Sequence, residues 1–316
     1  MKHNEGFTFD AATLAQLGKV GVLLGGSSAE RAVSLKSGNA ILTGLKALGV
    51  NVVAIDTQDN AVEKIQKSGI DRAFIALHGP GGEDGRMQAL LEFLGVPYTG
   101  SGVQASAIAM DKWRTKQIWR GENLPTPEYV VLTPEADLAQ VLHSLGGRVM
   151  VKPSHEGSSI GMSKVQNLAE FEVAVKKARA LDSSVLVERL IEGAEYTVAI
   201  LVDEVLPPIR LEAANTFYDY DAKYISNETR YICPCELPPE KESELKALAL
   251  AGFKAVGCKG WGRVDVMADR DGQFFMLEVN TVPGMTDHSL VPMAAKQAGL
   301  NFDALVGTIL QDSLVK

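Results

Sequence analysis

The chain has 316 residues, 46% hydrophobic and 22% charged, with 31 Lys and Arg against 39 Asp and Glu for a formal net charge of −8. At about 150 residues per domain this suggests roughly two domains with ample core material, and the acidic balance argues against a general nucleic-acid binder, which needs a basic face. Three cysteines, Cys233, Cys235 and Cys258, suit neither a disulfide framework nor a zinc pair. With no apolar run of about 18 residues and no signal-peptide pattern, a cytoplasmic protein with no membrane partner is expected.

Residues 1–18 read as a loose polar arm. Lys19 to Leu24 reads as a buried strand ending at Gly25-Gly26, and Ser27 and Ser28 are placed to cap a helix from Ala29 to about Leu48. Asn51 to Asp56 is a second strand, a helix follows near 60–67, and Arg72 to His78 is a third strand. This alternation implies a parallel sheet wound in the Rossmann manner. Gly79 to Gly85 is a glycine-rich loop, followed by a helix from Arg86 to Leu94 and helical sequence from Val103 to about Gly121. Leu124-Pro125-Thr126-Pro127 marks a linker. Beyond it come short strands at 129–132, 148–153, 160–165, 185–190, 195–202 and 206–211, an antiparallel α+β pattern. Residues 214–234 are polar and aromatic without a period. A helix near 240–256, strands at 262–268 and 273–280, and two helices close the chain.

The last strand pair carries the sharpest chemical signal. With Asp271-Gly272 as a tight hairpin turn, Asp265 faces Glu278 and Arg263 faces Asn280, all on one side of the pair. Two carboxylates and an amide set among valines and phenylalanines repel unless a cation lies between them, and hard oxygen donors without His or Cys suit Mg²⁺. For a lone Glu-x-Asn a solvated edge hairpin is the plainer explanation; Asp265 opposite it favours the metal. Lys152 ends an apolar strand before the loop Pro153 to Gly161, where backbone N–H groups, Ser158 and Ser159 can wrap phosphate oxygens around a lysine charge. Gly25 to Arg31 places a glycine turn between strand and helix, where ligands of parallel sheets bind. Glu30 there is by itself most simply a helix-dipole charge. Thr216 to Tyr224, with Lys223 and Tyr224, reads equally as an exposed strand or as a lid. His78, at a strand end, is ordinarily a core histidine, although its place beside a glycine loop favours a site.

Together these segments resemble the ATP-grasp superfamily and, within it, the D-alanine–D-alanine ligase family. The carrying motifs are Leu24 to Ser34, His78 to Gly85, Met110-Asp111-Lys112, Lys152 to Gly161, Tyr218 to Tyr224, Gly262 to Val266 and Glu278 to Met285, in order over nearly the whole chain. The resemblance implies a Rossmann-like (pre-ATP-grasp) parallel sheet at 19–105 after the arm. A two-subdomain ATP-grasp fold follows at 106–195 and 196–316, the latter with a lid loop at 214–234. It implies that ATP phosphorylates one D-alanine, that the amine of a second attacks the acylphosphate, and that the dipeptide serves peptidoglycan precursor synthesis in a cytoplasmic homodimer. The alternative acceptor is one such as D-lactate.

Carried over, the family's ATP contacts fall on Lys112, Lys152, Ser159, Glu188, Ile191, Glu195 and Lys223, with Glu188 at the adenine amino group and Glu195 at the ribose. Asp265, Glu278 and Asn280 would hold two Mg²⁺ ions, which Mn²⁺ can replace. Glu30 would fix the first D-alanine's ammonium, near His78, with Ser158 and Tyr224 linked to it. Arg263 and the Gly284 N–H would face the oxyanion, and Ser289 and Leu290 the second D-alanine's carboxylate. One departure is Leu190, where relatives often carry an aromatic residue against adenine. The presence of Tyr224 favours the dipeptide over the ester.

Overall fold

Three short β-strands pair in parallel in the order β2-β1-β3: β1 is Lys19–Leu24, β2 Asn51–Asp56 and β3 Arg72–Ile75. The structure is a computed structural model describing residues 7–157, 160–212 and 229–315. Val20, Val22, Leu23, Phe74 and Ile75 are fully or almost fully buried, as near-continuous apolar runs in a parallel sheet must be. The stretch read as a loose arm instead carries helix α1, Ala11–Leu17, capped by Asp10, whose Oδ1 accepts from the Thr13 N–H at 2.7 Å. Leu17 is buried, and Phe7 and Phe9 pack on the same core edge-to-face. Apolar anchoring by two aromatics outweighs the polar composition that suggested a free arm.

The helix after β1, α2, spans Arg31–Ala47; Glu30 holds its cap position without a side-chain cap bond. Ser28 serves differently from expectation. Its Oγ accepts from the Glu30 N–H and donates to the His78 carbonyl, tying the two glycine loops together. Helix α3, Ala61–Ser68, leads to β3, which stops at Ile75, short of His78. Helix α4 is Arg86–Phe93.

The helical sequence expected from Val103 to about Gly121 forms two helices, α5 (Val103–Met110) and α6 (Lys112–Gly121). Asp111 breaks them: its backbone is extended and its carboxylate caps α6 by accepting from the Arg114 N–H at 3.0 Å. The break makes Lys112 the first residue of α6, and its amide donates to the Ser154 carbonyl at 3.1 Å.

The second sheet is antiparallel, ordered β4-β7-β5-β6, from β4 (Tyr129–Val131), β5 (Val149–Pro153), β6 (Ser163–Val165) and β7 (Val185–Arg189). Helices α7 (Leu138–Ser144) and α8 (Leu168–Arg179) flank it, α8 burying Phe171, Ala174, Val175 and Ala178 against it. The third sheet runs β11-β10-β8-β12-β13, with β9 on β8. These are β8 (Glu195–Leu201), β9 (Glu204–Val205), β10 (Ile209–Glu212), β11 (Arg230–Ile232), β12 (Trp261–Ala268) and β13 (Phe274–Asn280). Strand β11 falls inside the segment read as aperiodic; residues 213–228 lie outside the described ones. Helix α9 (Pro239–Ala255) covers this sheet with Leu245, Ala249 and Phe253.

Helices α10 (Leu290–Gln297) and α11 (Phe302–Asp312) return to the first core: Val291, Ala294, Leu305 and Ile309 join Ile41 and Leu45 of α2. The sequence division assigns them to a C-terminal unit, yet their apolar faces complete the core of the parallel sheet. That return brings residues 281–289 beside the glycine loops.

The hairpin β12–β13 meets expectation at its chemical end by a different route. The turn is longer than two residues: Asp269 pairs with Gln273, and Gly272 closes it at φ +75°. Val266 therefore stands opposite Met276, one place off the expected register. A β-bulge between Asp265 and Val266 restores it, so Asp265 does face Glu278 and Arg263 does face Asn280.

Candidate active site

Asp265 is buried at the floor of the site and accepts four hydrogen bonds. Its Oδ1 accepts from Thr197 Oγ1 at 2.6 Å and Arg263 Nε at 2.8 Å; Oδ2 accepts from Arg263 Nη2 at 2.7 Å and Asn280 Nδ2 at 3.1 Å. Opposite it, Glu278 Oε2 lies 3.2 Å from Lys112 Nζ. Hard oxygens on one face suit a hard divalent cation. Among the described residues no three His, Cys, Asp or Glu side chains form a cage, so a cation held here would draw further oxygens from water or a bound phosphate, as Mg²⁺ commonly does.

Above this floor helix α6 and the second sheet supply lysines. Lys112 Nζ donates to the Glu156 carbonyl at 2.6 Å as well as facing Glu278, so it ties the glycine/serine loop to the hairpin. Lys152, at the end of β5, lies 2.6 Å from Glu188 Oε2, and Lys116 of α6 lies 2.9 Å from Glu188 Oε1. Burial pushes the Glu188 carboxyl up, but Lys116 and Lys152 outweigh it and hold the group below the usual carboxylate range. Burial pulls the Lys116 ammonium down to about 8, against the attraction of Glu188. Lys116 is a site residue that composition and periodicity do not reveal. Its spacing of one turn from Lys112 is the one signal in the sequence, and a lysine at that spacing ordinarily marks a solvated helix face.

The parallel sheet contributes the third wall. A Cβ on Gly79 would come within 2.6 Å of Glu30 Oε2, and one on Gly157 within 3.1 Å. The Glu30 carboxylate thus sits where both glycine loops approach, and Gly79 also holds φ +70°. His78 is buried, with Nδ1 2.8 Å from the Val282 carbonyl and Nε2 3.0 Å from Ser37 Oγ, which accepts from the Met285 N–H at 3.0 Å. A neutral ring donating from Nδ1 and accepting at Nε2 satisfies this chain. Burial pulls the His78 ring down from its ordinary value, with Glu30 pulling the other way. Both ring nitrogens are used inside the protein, so His78 braces segment 282–285.

Glu83, within the glycine-rich loop 79–85, completes the brace. It accepts from the Gly79 N–H at 2.8 Å and the Val282 N–H at 3.3 Å. Burial, and then the charge of Glu30, push its carboxyl up from 4.5 to about 8. The folded chain therefore holds a proton that the unfolded chain releases, so this contribution to stability is full below 4.5 and is lost as pH rises to about 8. Glu83→Gln removes that titration. The melting midpoint of the parent relative to the variant should fall across this window; a constant gap refutes the assignment.

Gly284 and Ser289 are adjacent: a Cβ on Gly284 would meet Ser289 Oγ at 2.9 Å. Ser289 Oγ accepts from the Thr286 N–H at 2.9 Å; the residue holds the N-cap position of α10 without a side-chain cap bond, and Leu290 is the first helical residue. Ile191 is buried just beyond β7, and Glu195 opens β8. Of the remaining expected residues, Ser158, Ser159, Lys223 and Tyr224 lie outside the described ones. Among the described residues no helix is long and apolar enough to cross a membrane.

The family "D-ala D-ala ligase C-terminus" matches residues 118–311, and "D-ala D-ala ligase N-terminus" matches residues 56–101. A D-alanine–D-alanine ligase of Saccharophagus degradans is 58% identical over 307 residues, covering 97% of this chain and 98% of that relative. The crystal structure of a D-alanine–D-alanine ligase from Bacillus anthracis superposes with a TM-score of 0.85 at 38% identity, over 94% of this chain and 98% of that one. A structure from the same organism complexed with ATP gives 0.84 at 35%, over 94% and 98%. With family matches over most of its length and relatives this similar along almost the whole chain, the chain belongs to the D-alanine–D-alanine ligase family.

Proposed function

We propose that this chain joins two D-alanine molecules at the expense of ATP, through D-alanyl phosphate, releasing ADP and phosphate. The observation that carries the reading is the convergence of three walls. Glu30 lies under two glycine loops, Lys112 at the start of α6 and Lys152 on the second sheet stand side by side, and Asp265, Glu278 and Asn280 share one face of the hairpin.

In this reading Glu30 holds the ammonium of the first D-alanine and so aims its carboxylate at the γ-phosphate. A carboxylate oxygen bonds to phosphorus as the bond to ADP breaks. The free amine of the second D-alanine then attacks the acyl carbon, its proton is lost, and phosphate departs. Lys112 and Lys152 bind phosphate oxygens, Glu188 and Glu195 the adenine and ribose. Asp265, Glu278 and Asn280 would hold Mg²⁺, which neutralises phosphate charge when bound. Arg263 and the Gly284 N–H face the developing oxyanion. Ser289 and the N-terminus of α10 receive the second carboxylate. Lys223, Tyr224 and Ser158 belong to the lid side of the same proposal, as do a homodimer and a cytoplasmic place. D-Lactate as acceptor is not favoured, since the relatives carry the dipeptide-forming name.

The test is phosphate release from Mg-ATP with D-alanine, with L-alanine and with no amino acid. Release with D-alanine alone, together with a dipeptide product, is expected. Equal release with L-alanine, or none with any, overturns the substrate assignment. Gly284→Ala tests the acceptor end. Its Cβ displaces Ser289 Oγ from the Thr286 N–H, and losing such a bond costs about tenfold in affinity. The KM for the second D-alanine should rise while that for ATP stays near the parent value; parallel changes in both would contradict it.

A further inference from the structure

Three lysines and two carboxylates lie between α6, β5, β7 and β13, and the proposed reaction uses only two of the lysines. Lys116 is completely buried. Its Nζ donates to Thr126 Oγ1 at 2.6 Å, and that hydroxyl donates onward to the Met276 carbonyl at 2.8 Å. The ammonium is therefore anchored to the linker and to β13, and its remaining partner is Glu188 at 2.9 Å. Glu188 is itself only 2% exposed and is shared with Lys152 at 2.6 Å.

This arrangement creates a charge problem on nucleotide binding. Here Lys152 neutralises Glu188 and Lys112 faces Glu278. If phosphate oxygens take the Lys152 ammonium, Glu188 keeps its burial and loses one counter-charge. A buried carboxylate left without a cation is strongly disfavoured. Lys116 cannot follow the phosphates, since Thr126 holds it and no part of it reaches solvent. We propose that Lys116 is a positioning residue for the nucleotide: it is the standing counter-charge of Glu188, which frees Lys152 to exchange that carboxylate for phosphate. The inference rests on the reading of Lys152 as a phosphate ligand. The pull of burial on the Lys116 ammonium, to about 8, leaves it charged at neutral pH.

The experiment is a double-mutant cycle on the full chain, read by calorimetric titration with Mg-ADP and by the KM and kcat for ATP. Lys116→Met leaves Lys152 as the sole cation of Glu188. Nucleotide affinity should fall about tenfold or more while kcat changes by less than about threefold. In a Glu188→Gln background the same substitution should alter affinity by less than about threefold, because a neutral amide needs no counter-charge. Equal factors in both backgrounds, or a loss confined to kcat, overturn the proposal. Thermal melting supplies an arm that survives poor folding of Lys116→Met. Lys152→Met should melt close to the parent and Lys116→Met well below it; the reverse order overturns the proposal. Lys152→Met is also the control: unchanged affinity for Mg-ADP in that variant would bring down the phosphate reading itself, a failure distinct from that of the cycle.

Discussion

Glu278→Gln should reduce turnover by about 10²- to 10³-fold while leaving the fold intact. The carboxylate stands opposite Asp265 on the bulged hairpin and 3.2 Å from Lys112 Nζ. Glutamine keeps its shape, and its Oε1 still accepts from Lys112, so the change in stability should stay within about 1–2 kcal/mol. What it removes is a negative charge, half of the paired-carboxylate arrangement that makes a divalent cation favourable there. The expected signature is a raised half-saturating Mg²⁺ concentration with partial recovery of rate at high Mg²⁺. Measurement of kcat across a Mg²⁺ titration, beside a thermal melt, decides the matter. Parent-like turnover at every Mg²⁺ concentration would remove Glu278 from the cation site, and a collapsed melting midpoint would make the loss a folding effect.

The same hairpin shows what a sequence can and cannot tell. The partner of Asp265 was legible because two features point to it: a turn signal at Asp271-Gly272 and polar residues at alternating positions in both strands. Both deviations from the simple hairpin are local backbone choices. The longer turn moves the register by one residue, and the bulge moves it back. Periodicity is blind to each, yet the buried alternation of Val264 and Val279 against the polar face fixes where the register must end. Asp111 is a similar case. Helical propensity runs on from Val103 to Gly121, and one capping carboxylate divides the run and turns Lys112 toward the loop.

Residues that act at a distance were not legible. Glu83 meets the Val282 N–H across 199 positions, and His78 meets the carbonyl of the same residue across 204. Nothing in either local pattern announces a brace between the parallel sheet and the tail of β13. Lys116 was hidden for a converse reason: charge on a helix normally means solvent, and only a folded chain shows Thr126 and Glu188 closing around it. The amino-terminal arm follows the same logic, since Phe7 and Phe9 are ordered by a core built from α2 and the last two helices.

Arg263→Met should also lower turnover by about 10²-fold or more, but with the opposite effect on the cation. Its guanidinium grips Asp265 through Nε and Nη2, at 2.8 and 2.7 Å. Removing it leaves Asp265 with Thr197 and Asn280 as donors and takes a positive charge away from the cation-binding face. Half-saturating Mg²⁺ should therefore stay level or fall, where Glu278→Gln raises it. The lost rate then reports the oxyanion that Arg263 would have stabilised. Arg263→Lys separates charge from geometry, because a lysine ammonium restores the charge but not the two-pronged grip that orients the group. It should recover part of the rate and not all of it. If Arg263→Met instead raises the Mg²⁺ requirement as Glu278→Gln does, the arginine acts by shaping Asp265 for the cation, and the oxyanion role falls to the Gly284 N–H alone.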